Sequence, residues 1–175
     1  MITHSFTLNG VDMRERFGLI AESFDDVLTP SLRPRKVVTP FRDGAYDYGA
    51  EHYDERVLTI HCASPILSRE DCRALSLSIS EKSDIVRWDE PDKHYVGRVY
   101  DPAEIERIAG RAKRFSIPFV CEPFAYGAQR TEKFINRSPL AYMGTARTFP
   151  LITITNTNAF PINGLAITMR EAVRR

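Results

Sequence analysis

Lysine is scarce in this chain: only five of its 24 basic residues are lysine, and 19 are arginine. Basic runs are absent and the formal net charge is +1, so the electrostatic footprint of a nucleic-acid binder is missing. No uninterrupted apolar stretch approaches the length needed to span a bilayer. The opening residues lack the charged and apolar regions of a signal peptide, which predicts synthesis in a cytoplasm. Cysteine is sparse and odd in number: Cys62, Cys72 and Cys121 are far apart, each in an apolar pattern. They read as reduced, buried small hydrophobes rather than a disulfide framework. His4, His52, His61 and His94 are scattered, and His61 and Cys62 would face opposite sides of a strand, so no metal site is expected. There is no glycine-rich phosphate loop, no Gly-x-Ser-x-Gly and no His-Glu-x-x-His. These absences predict no catalytic, cofactor or metal site.

What is present is mostly β-pattern. At 175 residues, 43% of them hydrophobic, the chain can bury a core of one moderate domain plus something smaller. Asn9-Gly10 is a strong hairpin turn between residues 5–8 and 11–13, because both central positions of a type I′ turn need φ > 0. Residues 17–24 form a second β-like run. Residues 29–50 contain Pro30, Pro34, Pro40, Asp43-Gly44 and Gly49, the composition of a long loop or extended arm. Leu58, Ile60 and Cys62 alternate with Val57, Thr59 and His61, the period of a central strand. Ser68 is an expected N-cap, with Glu70 and Asp71 in the first turn and Cys72, Leu75 and Ile79 making one buried stripe of a helix. Glu90-Pro91-Asp92-Lys93 is expected to turn a hairpin. Phe115, Ile117, Phe119 and Cys121 then alternate along a strand in which Pro118, having no N–H, predicts an edge or a bulge.

Several charged clusters carry residue types used in catalysis. Asp89, Glu90 and Asp92 flank the predicted turn and read as a solvated hairpin tip. Asp47, Glu51, Asp54 and Glu55 could supply paired carboxylates but fit a charged loop better. Ser64, Ser68 and Ser76 near His61 have no spacing that singles out a nucleophile. The arginine excess suits protein interfaces, where lysine is depleted, and equally suits a GC-rich genome. Tyr46, Tyr48 and Tyr53 gather beside the long loop, as interface anchors do, or cap the edge of the core.

The ordered set of pieces resembles the distal tail protein family of long-tailed bacteriophages over roughly residues 2–127. The resemblance lies in Phe17-Gly18-Leu19, in Pro40-Phe41-Arg42-Asp43-Gly44-Ala45-Tyr46-Asp47, in residues 53–63 with the following helix, and in the run from Asp84 to Gly127. Phe41 stands where the family usually has glycine, which reaches φ > 0 more easily than phenylalanine. The resemblance implies a mainly β, sandwich- or barrel-like domain over residues 1–127, with one packed α-helix and an extended arm. A connector would follow at 128–149, and 150–175 would begin a second, galectin-like β domain or supply docking strands. It further implies a structural protein of the virion tail tip, not an enzyme. The protein would form a homo-oligomeric ring, six copies strong, that joins the tail-tube protein to tail-tip or baseplate proteins. DNA would pass through without specific contact. Phe41, Arg42, Asp43, Gly44, Tyr46, Tyr48 and Pro118 are then the interface candidates. The galectin-like second domain keeps a carbohydrate-binding β-sandwich module as the alternative. An oligonucleotide-binding β-barrel would need a basic, aromatic-studded face that the sequence does not supply.

The last third is weakly patterned until residues 150–156, which read as a strand, and Asn163-Gly164, a turn before a strand at 165–169. Two short strands cannot enclose a core. Residues 149–175 expressed alone are therefore expected to show no cooperative thermal transition by circular dichroism; a sigmoidal melt would refute this.

Overall fold

The computed structural model describes residues 4–49, 52–65, 67–101, 105–108, 112–135 and 139–168. Ala50, Glu51, Asn136 and the end of the second predicted tail strand at Met169 lie outside these residues. The chain divides into two units, Met1–Asn136 and Arg137–Arg175.

The first unit is built on a long antiparallel sheet. Its elements in chain order are β1 (Phe6–Leu8), β2 (Val11–Asp12), α1 (Met13–Phe17), β3 (Ile20–Asp25), β4 (Lys36–Val37), β5 (Tyr46–Asp47), β6 (Arg56–Ser64), α2 (Arg69–Ser80), β7 (Ser83–Arg87), β8 (Glu90–Arg98), β9 (Ile105–Ile108), β10 (Ala112–Cys121) and β11 (Tyr126–Gly127). The strand order is β2-β1-β7-β8-β10-β6-β3, with β9 added on β10 and β11 on β8. The two ends of this path approach each other: His4, just before β1, accepts a hydrogen bond from the Ala21 N–H of β3 at 3.2 Å. The sheet thus curls around one core, as a mainly β, barrel-like domain requires.

That core follows the period-2 pattern. Leu58, Ile60 and Cys62 of β6 and Phe115, Ile117, Phe119 and Cys121 of β10 are all buried, and β6 pairs with β10 over nine residues. Phe6, Leu8, Ile85 and Tyr95 continue the buried face, and Leu75 and Ile79 bring α2 against it. Burial pushes the Cys62 and Cys121 thiols up to about 12, so both stay protonated. The α2 N-terminus is a reciprocal capping box: Asp71 N–H donates to Ser68 Oγ at 3.0 Å, and Ser68 N–H donates to the Asp71 carboxylate at 3.0 Å.

Four local expectations are corrected. The second arm of the first hairpin stops at Asp12, whose carboxylate accepts from Arg14 N–H at 2.7 Å and so caps the short helix α1. Gly18, at φ 64°, ends α1 in the left-handed conformation, so Phe17 closes a short helix rather than opening a strand. The β7–β8 turn lies at Trp88-Asp89 instead of Glu90–Lys93. Pro91 instead sits in a stretch of β8 between the Arg87↔Glu90 and Ile85↔Tyr95 pairs, where it has no register partner on β7. Between β8 and β10, residues 105–108 form β9, which pairs with β10 from Ala112 to Phe115.

Pro118 obeys the edge rule on one side only. It pairs with Thr59 of β6, while the other side of β10 is covered by β9 as far as Phe115 and by β8 only from Val120. Among the described residues no strand lies beside residues 116–119 on that side, which is where a missing N–H is tolerated.

In the second unit the described residues 139–168 form no strand or helix. The alternation at 150–156 is present in sequence, but a strand exists only with a ladder partner, and this unit supplies none among its described residues. Local turns remain: Asn158 N–H donates to Asn156 Oδ1 at 3.0 Å, and Gly164 sits at φ 71°.

Gly97 of β8 marks the tightest approach in the sheet. A Cβ there would lie 2.6 Å from Cys121 Sγ and 2.7 Å from the Val120 carbonyl oxygen. Chemical denaturation should therefore show Gly97→Ala to be destabilising by roughly 3 kcal/mol, against about 1 kcal/mol for Ser68→Ala. Equal losses would contradict this packing.

Candidate functional site

The feature that departs from a closed domain is the arm between β3 and β6. Its outgoing and returning strands pair along their length. Asp54 N–H donates to Ser31 O at 2.8 Å, Arg33 N–H to His52 O at 2.8 Å and Tyr48 N–H to Arg35 O at 2.9 Å. Leu32 and Tyr53 form a bridge, and β4 pairs with β5 through Lys36↔Asp47 and Val37↔Tyr46. Two side-chain contacts brace the base: Arg33 Nε to Asp54 Oδ1 at 2.6 Å, and the edge of Tyr53 against the Phe124 ring at 5.0 Å. The arm is a hairpin rather than an irregular loop. Its prolines stand outside the β4–β5 pairs, where they remove no bond from that short ladder.

Every residue from 31 to 49 is exposed. Phe41 at the tip is 109% exposed and lies at φ 64°, with Gly44 at φ 78° completing the loop. The position that resembles a family glycine therefore keeps a glycine-like backbone while carrying phenylalanine. A non-glycine residue in that region costs roughly 1–2 kcal/mol. The Arg42 guanidinium stacks 3.8 Å from the Tyr46 ring centroid, and the Tyr46 and Tyr48 rings are 6.5 Å apart. Six of the seven sequence-selected residues (Phe41, Arg42, Asp43, Gly44, Tyr46 and Tyr48) lie together on this arm; Pro118 lies on β10 in the barrel wall.

Sequence reasoning missed the neck of the arm. Arg56, the first residue of β6, is 8% exposed, and its Nη2 donates to Asp26 Oδ1 at 2.5 Å and to the Val27 carbonyl oxygen. Arg87 Nη1 donates to the other Asp26 oxygen at 3.0 Å, and Arg87 also holds both oxygens of Asp89, at 2.9 and 2.5 Å. That fork holds the Asp89 carboxyl below its usual range. Burial, with a hydrogen bond to Glu90, pushes the Tyr95 hydroxyl up to about 12 beside the same cluster. The signal was available: the alternation Arg56-x-Leu58-x-Ile60 puts Arg56 on the buried face of β6.

Five of the seven clustered carboxylates are engaged by neighbouring groups, while Glu55 is exposed and Glu51 lies outside the described residues. Asp89 is clasped by Arg87, Glu90 accepts from the Tyr95 hydroxyl, Asp92 pairs with Lys93, Asp54 pairs with Arg33, and Asp47 accepts from Gly49 N–H. The serine that reaches His61 is Ser116 rather than Ser64, Ser68 or Ser76: His61 Nδ1 lies 2.8 Å from Ser116 Oγ, and Nε2 lies 2.6 Å from Asp25 Oδ2. This chain of contacts runs along the outside of β10, β6 and β3, beside the β3 register shift between Ala21 and Ser23. Among the described residues no three His, Cys, Asp or Glu side chains gather as a metal site, and no helix is long and apolar enough to cross a membrane.

Comparison with known proteins decides the family. Residues 11–121 match the model of the phage tail protein RIFT-related domain. The chain belongs to that family. It is a phage tail protein, as the family description states, and the match spans α1, the arm, α2 and the β6–β10 core. No curated protein matches. Among solved structures the chain is similar to the SPP1 Dit protein, described as a paradigm of hub adsorption apparatus in phages that infect Gram-positive bacteria. The TM-score is 0.58 at 20% identity, covering 71% of this chain and 52% of that one. That likeness carries the fold, and the chain spans about half the length of that tail protein.

For this tail protein, Phe41→Gly should leave folded stability unchanged or raised by up to about 1 kcal/mol, since released left-handed strain offsets the added chain entropy. Phe41→Ala should give no such gain. Denaturant midpoints check both, and a loss of more than about 1 kcal/mol in the glycine variant would show that Phe41 packs within its own chain.

Proposed function

We propose that this tail protein closes into a ring, six copies around the tail axis, that joins the tail tube to the tail-tip or baseplate proteins and lets DNA pass without specific contact. One observation carries the reading: a hairpin arm, exposed from residue 31 to 49, displays Val37, Val38, Phe41, Tyr46 and Tyr48 to solvent. Aromatic and apolar side chains gathered on a projecting hairpin mark a surface made for another chain. A ring needs heterologous head-to-tail contacts whose rotation closes, each burying on the order of 1,000 Å². The arm, through Phe41, Arg42, Asp43, Gly44, Tyr46 and Tyr48, supplies one side of that contact. The β10 edge at Pro118, uncovered by a strand between residues 116 and 119, supplies the other. The number six comes from the distal tail family resemblance. The net charge of +1 suits a lumen that DNA crosses without being held. Such a protein is made in the host cytoplasm and resides at the virion tail tip. Residues 150–175, with Leu151 and Ile154 exposed, begin a second β domain or dock on an assembly partner.

Light scattering over a concentration series, followed by electron microscopy with the tail-tube and tail-tip proteins present, tests the ring. Closed six-fold particles are expected, with amide exchange slowing first across residues 33–49. A protein that stays monomeric alone and with both neighbours, or an arm equally protected in free and assembled states, would overturn it.

A further inference from the structure

Both ends of the arm and the distant β7–β8 turn meet on one carboxylate, Asp26. It is the residue after β3, where the arm departs, and Arg56 is the residue where the arm returns. Arg56 Nη2 holds Asp26 Oδ1 at 2.5 Å, and Arg87 Nη1 holds Oδ2 at 3.0 Å. Arg87 is the last residue of β7, and its remaining edge grips Asp89 in the turn. The side chains of Arg56 and Arg87 are only 8% and 13% exposed, so without the carboxylate two like charges would face each other away from water. Arg56 Nε is buried with no hydrogen-bond partner. Its guanidinium is thus held by the clamp at Nη2 and by Tyr95, whose ring centroid is 5.3 Å away, rather than by full hydrogen-bond satisfaction.

We infer that Asp26 is a mechanical coupler that makes the arm and the Trp88-Asp89 turn move as one body, so that engagement of the arm is transmitted to the turn. The clamp has two arrangements. With the carboxylate between them the guanidinia converge, the neck is closed and the turn is fixed. When the arm shifts Val27 or Arg56, the carboxylate moves, and Arg87, which keeps its fork on Asp89, carries the turn with it. Trp88, the chain's one tryptophan, sits in that turn with the His4 ring against it at 4.5 Å, tilted by 59°, so it reports the turn directly. The coupling goes beyond the ring reading and operates in a single chain whether or not a ring forms.

The test uses the full chain, limited trypsin digestion and Trp88 emission. The arm offers Arg35, Lys36 and Arg42 as exposed cleavage sites, the bond after Arg33 being shielded by Pro34, and cleavage follows the population of locally opened neck. Asp26→Asn should speed cleavage at these three sites on the order of tenfold and shift Trp88 emission, while the barrel keeps its cooperative melt. Asp54→Asn, which removes the exposed pair with Arg33, should leave Trp88 emission unchanged. Arg87→Gln, which keeps the Arg56–Asp26 contact, should shift Trp88 emission with a smaller change in arm cleavage. The inference is overturned if Asp26→Asn changes neither readout, or changes one without the other, or accelerates cleavage across the barrel in parallel with the arm. Should Asp26→Asn fail to fold, Arg87→Gln decides alone: unchanged Trp88 emission overturns the coupling.

Discussion

The nine-residue antiparallel pairing of β6 with β10 is the constraint from which the rest of this domain follows. It sets Leu58, Ile60 and Cys62 beside Phe115, Ile117, Phe119 and Cys121 on one buried face. Since side-chain direction has period two, a slip of one residue would turn that whole set to solvent. With the register held, β3 adds on the far side of β6 and β8 and β9 divide the far side of β10. The arm is a consequence of the same pairing. It is the connection between β3 and β6, two adjacent strands, and must leave and re-enter the wall at neighbouring points.

That geometry explains why the polar groups of the neck are costly and yet retained. A buried ion pair gains little over a well-packed apolar substitute, because desolvation offsets the Coulomb attraction. The Asp26 cluster therefore does more for geometry than for net stability. It fixes where the arm exits, which an apolar contact, lacking direction, would leave free to slide. The His61 contacts to Ser116 and Asp25 act similarly on the outer wall, bridging three strands beside the β3 irregularity. The acidic residues Asp47, Asp54, Asp89, Glu90 and Asp92 are likewise each engaged by a neighbouring donor.

The tip of the arm shows the converse. Phe41 spends conformational energy on a left-handed backbone and gains no burial within its own chain, being fully exposed. Strain that the chain itself does not repay points to a function outside the fold. Glycine would satisfy the backbone at that position with no side chain to offer, whereas the phenylalanine places an exposed aromatic ring on a turn that does not favour it.

Much of the domain was legible in the residues. Period-two alternation identified β6 and β10 and their buried faces, Ser68 and Asp71 announced the start of α2, Asn9-Gly10 marked the first hairpin, and Pro118 signalled a wall left partly uncovered. These are local preferences, expressed within a few residues of where they act. The sequence by itself thus determined the β class, the buried faces, the one long helix and the composition of the arm. Only the tertiary structure decided that the β7–β8 turn closes at Trp88-Asp89, because Arg87 clasps Asp89 there. Only it decided that Arg56 and Arg87 converge on Asp26, 30 and 61 residues away, and that Ser116 rather than a nearer serine reaches His61. The convergence on Asp26 and the His61–Ser116 contact depend on strand order and register, which bring together groups far apart in sequence, whereas the Arg87–Asp89 clasp spans two residues and acts through the β7–β8 register. Such pairings leave no periodic trace along the chain.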